Sequence, residues 1–145
     1  KTCDITFTIN ELNLLLNPWN EDRIISNLKN INRNNILKPH YNIENYYLYP
    51  LDITVCCGGN HSQLSAKIQN QGTTHITHIH DFSELYKHVT FNGKSFVESN
   101  NKNEVIRVNN EVGYFAGVFF EIGRILNDPK NKDYFNQEFI GKINE

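Results

Sequence analysis

Val55-Cys56-Cys57-Gly58-Gly59-Asn60-His61-Ser62-Gln63 changes character within nine residues, and the rest of the chain is organised around that change. Leu51-Asp52-Ile53-Thr54-Val55-Cys56-Cys57 is a β-rich run, and the paired glycines break it abruptly. Asn60-His61-Ser62-Gln63 then opens a predicted helix that carries Leu64, Ala66 and Ile68. It ends near Gly72, a residue type suited to a left-handed terminator. A strand ending in two glycines lets the backbone approach an anion closely. The free N–H groups of the following helix's first turn, aided by the local dipole, then hold it. Asn60, His61, Ser62 and Gln63 add side-chain donors at the same mouth. The plainer reading of the same residues is a Gly-Gly turn with Asn and Ser as ordinary caps.

Upstream, Asp4-Ile5-Thr6-Phe7-Thr8-Ile9 alternates with the period of a half-buried strand. An apolar run over residues 12–16 is stopped at Asn17-Pro18-Trp19-Asn20. Asn20 is placed to cap a helix whose first turn holds Glu21 and Asp22. Ile24, Ile25, Leu28 and Ile31 lie on one face of that helix, over about residues 21–31. Residues 32–35 are its exit, and Ile36-Leu37-Lys38-Pro39 leads to a short extended piece.

Downstream, residues 73–80 read as a strand, and Asp81-Phe82-Ser83-Glu84 as a capping box opening a short helix to about His88. Val89-Thr90-Phe91-Asn92-Gly93-Lys94-Ser95-Phe96-Val97 is a hairpin, with Asn-Gly suited to a type I′ turn. Residues 104–108 form a candidate strand. Residues 111–126 form a helix in which Gly113, Gly117 and Gly123 allow close approach to a sheet. Asp128-Pro129 starts a last helix with Tyr134, Phe135, Phe139 and Ile143 at packing positions.

A chain of 145 residues can bury roughly 70% of the surface it exposes when unfolded, so it needs no disulfide or metal staple. Its 39% apolar and 21% charged residues are a globular composition. No apolar run is long enough to span a bilayer, and no signal-peptide pattern opens the chain, so a cytoplasmic protein without a membrane partner is expected. A net charge of −2 does not favour nucleic acid held by bulk charge, which leaves a local basic patch as the remaining route. Cys3, Cys56 and Cys57 do not make a disulfide framework, and Cys56 and Cys57 read as small buried thiols. The absence of Met predicts that residue 1 is not the native start, and the abundant Asn reads as compositional bias. Together the elements predict one α+β domain over residues 1–145, a small mixed sheet with flanking helices. A core at residues 4–80 is followed by a β-hairpin and two C-terminal helices over residues 81–145.

The order of elements in residues 4–80 resembles the ParB/sulfiredoxin-like domain family. The matching residues are Asn17-Pro18-Trp19-Asn20-Glu21-Asp22-Arg23, Leu37-Lys38-Pro39, and Gly59-Asn60-His61-Ser62-Gln63-Leu64-Ser65. The resemblance implies a nucleotide or other phosphate ligand at Gly58, Gly59, Asn60, His61, Ser62 and Gln63. It also implies activities ranging from nucleotide-binding switches to ATP-using enzymes and suspected nucleases; the cofactor is left open, a nucleoside triphosphate with Mg being one option. Two departures qualify it. The family's Arg after His is Ser62, which removes a phosphate clamp. Asn60 stands where sulfiredoxin-type enzymes carry their catalytic Cys, so sulfinic-acid reduction is not expected. The whole chain, with Gly58-Gly59-Asn60-His61-Ser62 followed by Phe120-Glu121-Ile122-Gly123-Arg124, also resembles an uncharacterised bacterial domain-of-unknown-function family.

Three further groups can join the pocket. Alternate strand residues share a face, so His78 and His80 point together and His75 away. If the strands on either side of the 60–72 helix are parallel neighbours, His78 or His80 lies near His61. The three then serve as acid–base groups or, in a lesser reading, as ligands of a transition metal; otherwise they are strand histidines without a role. Trp19 is a core plug or a base-stacking platform, and Arg23 is a surface residue or the charge that Ser62 lacks. Glu121 and Arg124, three apart on a helix, pair with each other, or Arg124 reaches the pocket instead. Lys29, Arg33 and Lys38 read as a solvated basic rim. The functions these residues allow are nucleotide binding with hydrolysis or phosphoryl transfer, a metal-assisted nuclease or toxin acting on DNA or RNA, and an inactive ligand- or protein-binding module.

Overall fold

The computed structural model describes residues 1–134 and residue 141. Within them the chain forms two units, residues 1–48 with 52–80, and residues 49–51 with 81 onward. Both are α+β. Of the last predicted helix, Tyr134 ends a 3₁₀ turn, Pro129–Tyr134, while Phe135, Phe139 and Ile143 lie outside the described residues.

The first unit runs β1 (Thr2–Thr8), β2 (Leu14–Leu15), α1 (Glu21–Asn30), β3 (Glu44–Tyr49), β4 (Ile53–Gly58), α2 (Asn60–Ile68) and β5 (Thr73–Asp81). Its sheet has the order β1-β5-β3-β4-β2. The sidedness follows from alternation: Phe7 and Tyr47 go inward together with Ile76, and all three are almost fully buried. Ile9, Ile31, Leu37, Ile43 and Ala66 form a cluster between the sheet and the helix pair. Asn20 caps α1 as its side chain predicts, accepting the Arg23 N–H at 2.9 Å. Ile24 and Leu28 are half-buried on the expected face and Ile31 is buried just beyond the helix, whereas Ile25 is exposed. The short extended piece expected after Pro39 is not a strand; from there none forms before Glu44.

The expectation that the strands flanking α2 are parallel neighbours does not hold. Residues 44–58 fold back as an antiparallel pair, Tyr46 opposite Val55 and Leu48 opposite Ile53, and β3 takes the place beside β5. Contacts between β3 and β5 ascend together: His75 Nε2 meets Ile43 O at 3.3 Å, and Thr77 Oγ1 accepts the Asn45 N–H at 3.0 Å. Phe82 N–H then reaches Tyr49 O at 3.0 Å. β3 and β5 therefore run in the same direction and β4 against both. The Gly58 end of β4 lies at the His75 end of β5, away from His78 and His80.

The second unit contains α3 (Leu85–His88), β6 (Val89–Phe91), β7 (Ser95–Glu98), β8 (Glu104–Arg107) and α4 (Glu111–Leu126). Asp81 makes no capping box; its carboxylate accepts from the N–H and hydroxyl of Ser83 in a local turn, and α3 begins only at Leu85. The hairpin forms, but Gly93 alone has positive φ (+90°), so the turn is not type I′. The Asn92 side chain instead closes the loop by accepting the N–H groups of Lys94 and Ser95, both at 2.9 Å. Gly117 lets α4 lie against β6, since a Cβ there would come within 2.5 Å of the Phe91 ring.

Glu121 and Arg124 pair at 2.7 Å, as their spacing predicts. The guanidinium also donates to the carbonyls of Tyr86 and Val89, so its hydrogen bonds are spent within this unit. Burial raises the Glu121 pKa, but the hydrogen bonds from Arg124 and from Phe91 N–H outweigh it and hold the carboxyl below its ordinary value. A depressed folded pKa means the unfolded chain binds more protons. The stabilisation is therefore present above the ordinary value and is lost as pH falls through the folded one. Urea midpoints of Glu121→Gln and the natural chain should differ at pH 7, and the gap should close only as pH falls below the ordinary carboxylate range; a constant gap would remove the charge from the account.

Candidate functional site

The paired glycines are required first by packing. A Cβ on Gly58 would lie 2.5 Å from Asn42 O and 3.2 Å from Glu44, because the chain entering β3 crosses directly over it. Gly59 has φ +77° and is the N-cap residue of α2. It carries no capping side chain, and Gln63 N–H is the first to bond back, to Gly59 O at 2.9 Å. The N–H groups of Asn60, His61 and Ser62 precede that bond and form the uncapped first turn.

Asn60 and His61, both buried, tie a distant segment to this turn. Asn60 Oδ1 accepts the Asn17 N–H at 2.7 Å while its amide donates to Cys56 O. His61 Nε2 accepts the Asn20 N–H at 3.2 Å, and the Trp19 ring stands edge-on to the imidazole at 4.6 Å. A ring nitrogen that accepts carries no proton, so neutral His61 is protonated at Nδ1. Asn17, Trp19 and Asn20 are thereby laid across the start of α2, and α1 leaves from Asn20 with Arg23 one turn in.

Between these elements lies an open cleft of about 470 Å³. Trp19, Arg23, Gly59, Asn60, His61 and Ser62 line it, joined by Ser26, Asn27, His40 and Asn42. No carboxylate is among them. Trp19 is 68% exposed, so it is no core plug, and among the described residues the exposed Arg23 makes no ion pair with a carboxylate. Ser62 donates to Asn27 Oδ1 at 3.1 Å across the cleft wall.

Other candidates lie elsewhere. Gln63 is fully buried beneath the turn and bonded to Asn45, Thr74, Cys56 and Gly58, facing the sheet rather than the cleft. Gly58 packs on residues 42–44 and does not line the cleft. His78 and His80 do share a face, both rings tilted against Tyr46 at 4.3 and 5.3 Å, but that is the far end of β5 from His61. Of the β5 histidines it is His75 that lies at the Gly58 end of β4, paired with Asp4 at 2.6 Å. Among the described residues no three His, Cys, Asp or Glu side chains stand close enough to hold a metal ion. Cys56 is buried, and that burial pushes its thiol up to about 11, whereas Cys57 is exposed rather than buried. Sequence reasoning missed His40 and Asn27 as lining residues; the available signal was their position beside the Pro39 return and on the Arg23 face of α1.

These features define an α+β protein with a carboxylate-free polar cleft at a strand–turn–helix. The chain belongs to a family of unknown function, DUF6710, whose model matches residues 1–133. No curated protein and no solved structure matches it. Among the described residues no helix is long and apolar enough to cross a membrane.

Proposed function

We propose that this cleft binds a nucleotide by its phosphates, with the base against Trp19. The observation that carries the reading is the exposed indole, held edge-on by His61 above a cleft that Arg23 lines and no carboxylate does. An aromatic face beside an unneutralised cation is the pairing a base and a phosphate require. Arg23 supplies from α1 the charge that Ser62 does not. The uncapped amides of α2 add fixed partial charge of the same sign. The two segments that resemble ParB/sulfiredoxin-like domains, residues 17–23 and 59–65, meet at this cleft, which supports the same ligand class. Because His61 Nε2 is occupied by Asn20, binding is better supported than hydrolysis or phosphoryl transfer.

Trp19 is the chain's one tryptophan, so its fluorescence reads the cleft directly. Titration with ATP or CTP should quench it, and Arg23→Ala should weaken binding about tenfold, the loss of one charge-assisted contact. No change in emission up to millimolar nucleotide would sink the reading.

A further inference from the structure

A second cleft of about 540 Å³ adjoins the first, and Asn27, His40 and Ser62 line both. Its floor is the buried pair Ile31 and Leu37; its rim carries exposed Ile36, exposed Lys38, and the amides of Asn30, Asn34 and Asn35. Neither cleft has an Asp or Glu in its lining, although the chain carries 16 acidic residues against 14 Lys and Arg. The two clefts repeat one set of parts. Each has an exposed apolar surface (Trp19 or Ile36), a cation that makes no ion pair among the described residues (Arg23 or Lys38), and amide side chains able to donate and accept. At the junction, His40 Nδ1 accepts the Asn42 N–H at 3.2 Å, which leaves Nε2 without a partner among the described residues, and Ser62 meets Asn27. In the first cleft, His61 is 94% buried and its Nδ1 has no described partner.

We propose that the groove takes two nucleosides joined by a phosphodiester, one base on Trp19 and the other over Ile36, with the linkage at His40 and Ser62. This rests on the nucleotide reading of the first cleft and names its ligand more closely. A mononucleotide would leave the second cleft's cation and amides without use. A free dinucleotide and the terminus of a single strand present the same chemistry. The local cations answer a phosphodiester where the overall charge of −2 gives no general attraction to nucleic acid.

Trp19 fluorescence titrations with AMP, the dinucleotide pApA and a ten-residue oligoadenylate test it. The dinucleotide should bind at least tenfold more tightly than AMP, and Lys38→Ala should reduce that preference to below about twofold. A strand as tight as pApA identifies a strand end as the source; a strand that binds no better than AMP identifies the free dinucleotide. If AMP and pApA bind equally, or Lys38→Ala leaves the preference intact, the two-site groove is wrong while the nucleotide cleft stands. If none of the three changes the emission, both readings fall.

Discussion

Gln63→Ala is expected to lower the stability of the first unit by about 3 kcal/mol, although the residue touches no ligand surface. Gln63 is fully buried, and its amide is reciprocally bonded to Asn45, both contacts at 3.0 Å. It accepts from Thr74 Oγ1 at 2.6 Å and donates to Cys56 Sγ and Gly58 O. Truncation takes the donor from Asn45 Oδ1 and an acceptor from the Thr74 hydroxyl, in a place water does not reach. Each orphaned buried group costs about 1–3 kcal/mol, and the vacated volume adds to that. Urea unfolding followed by circular dichroism gives the loss, and hydrogen exchange of β4 and β5 amides assigns it to this unit. Gln63→Leu separates the two causes. It restores volume without polarity and should recover less than about 1 kcal/mol if hydrogen bonding dominates; full recovery would make the cavity the cause.

That network also marks the limit of what the sequence discloses. The outer helices are legible because their signals are local. Asn20 caps α1 as expected, and α4 spans residues 111–126 as expected, although its buried residues are Gly117 and Gly123 and not its apolar side chains. α2 starts where expected, but its apolar residues do not mark its buried face: Ala66 is buried while Ile68 is 60% exposed, and the buried set is Asn60, His61, Gln63, Ser65 and Ala66. A helix that buries amides and an imidazole gives no hydrophobic signal, because its partners are polar groups on strands and loops, several of them 11 to 43 residues away. The histidine geometry failed for a related reason. The crossover rule concerns neighbouring parallel strands, and the 44–58 hairpin inserts β3 between the two that α2 connects. The cleft was half legible: Asn17 to Arg23 and Gly59 to Ser62 stand out by composition, whereas their meeting depends on Asn60 and His61 reaching back to Asn17 and Asn20.

Gly58→Ala should cost the first unit about 3 kcal/mol, at the upper end of what overpacking by one methyl costs, because the obstructing atom is backbone. The new Cβ would stand 2.5 Å from Asn42 O, and no rotamer change relieves that. The pairing of β3 with β4 shifts register between Glu44 and Asn45 where Glu44 faces Gly58, so the crossing chain can retreat only by giving up the start of β3. Gly59→Ala should be milder. Its strain is a left-handed φ worth about 1–2 kcal/mol and a 3.0 Å approach to Ile43 Cγ1, a side-chain atom that can yield. The pair of substitutions separates two reasons for a double glycine. If both exist to admit a phosphate, Gly58→Ala and Gly59→Ala should abolish nucleotide binding with little change in urea midpoint. If Gly58 serves the crossing of residues 42–44, its variant should lose stability yet still respond through Trp19 wherever it remains folded. In that case only Gly59, which lines the cleft, couples stability to binding.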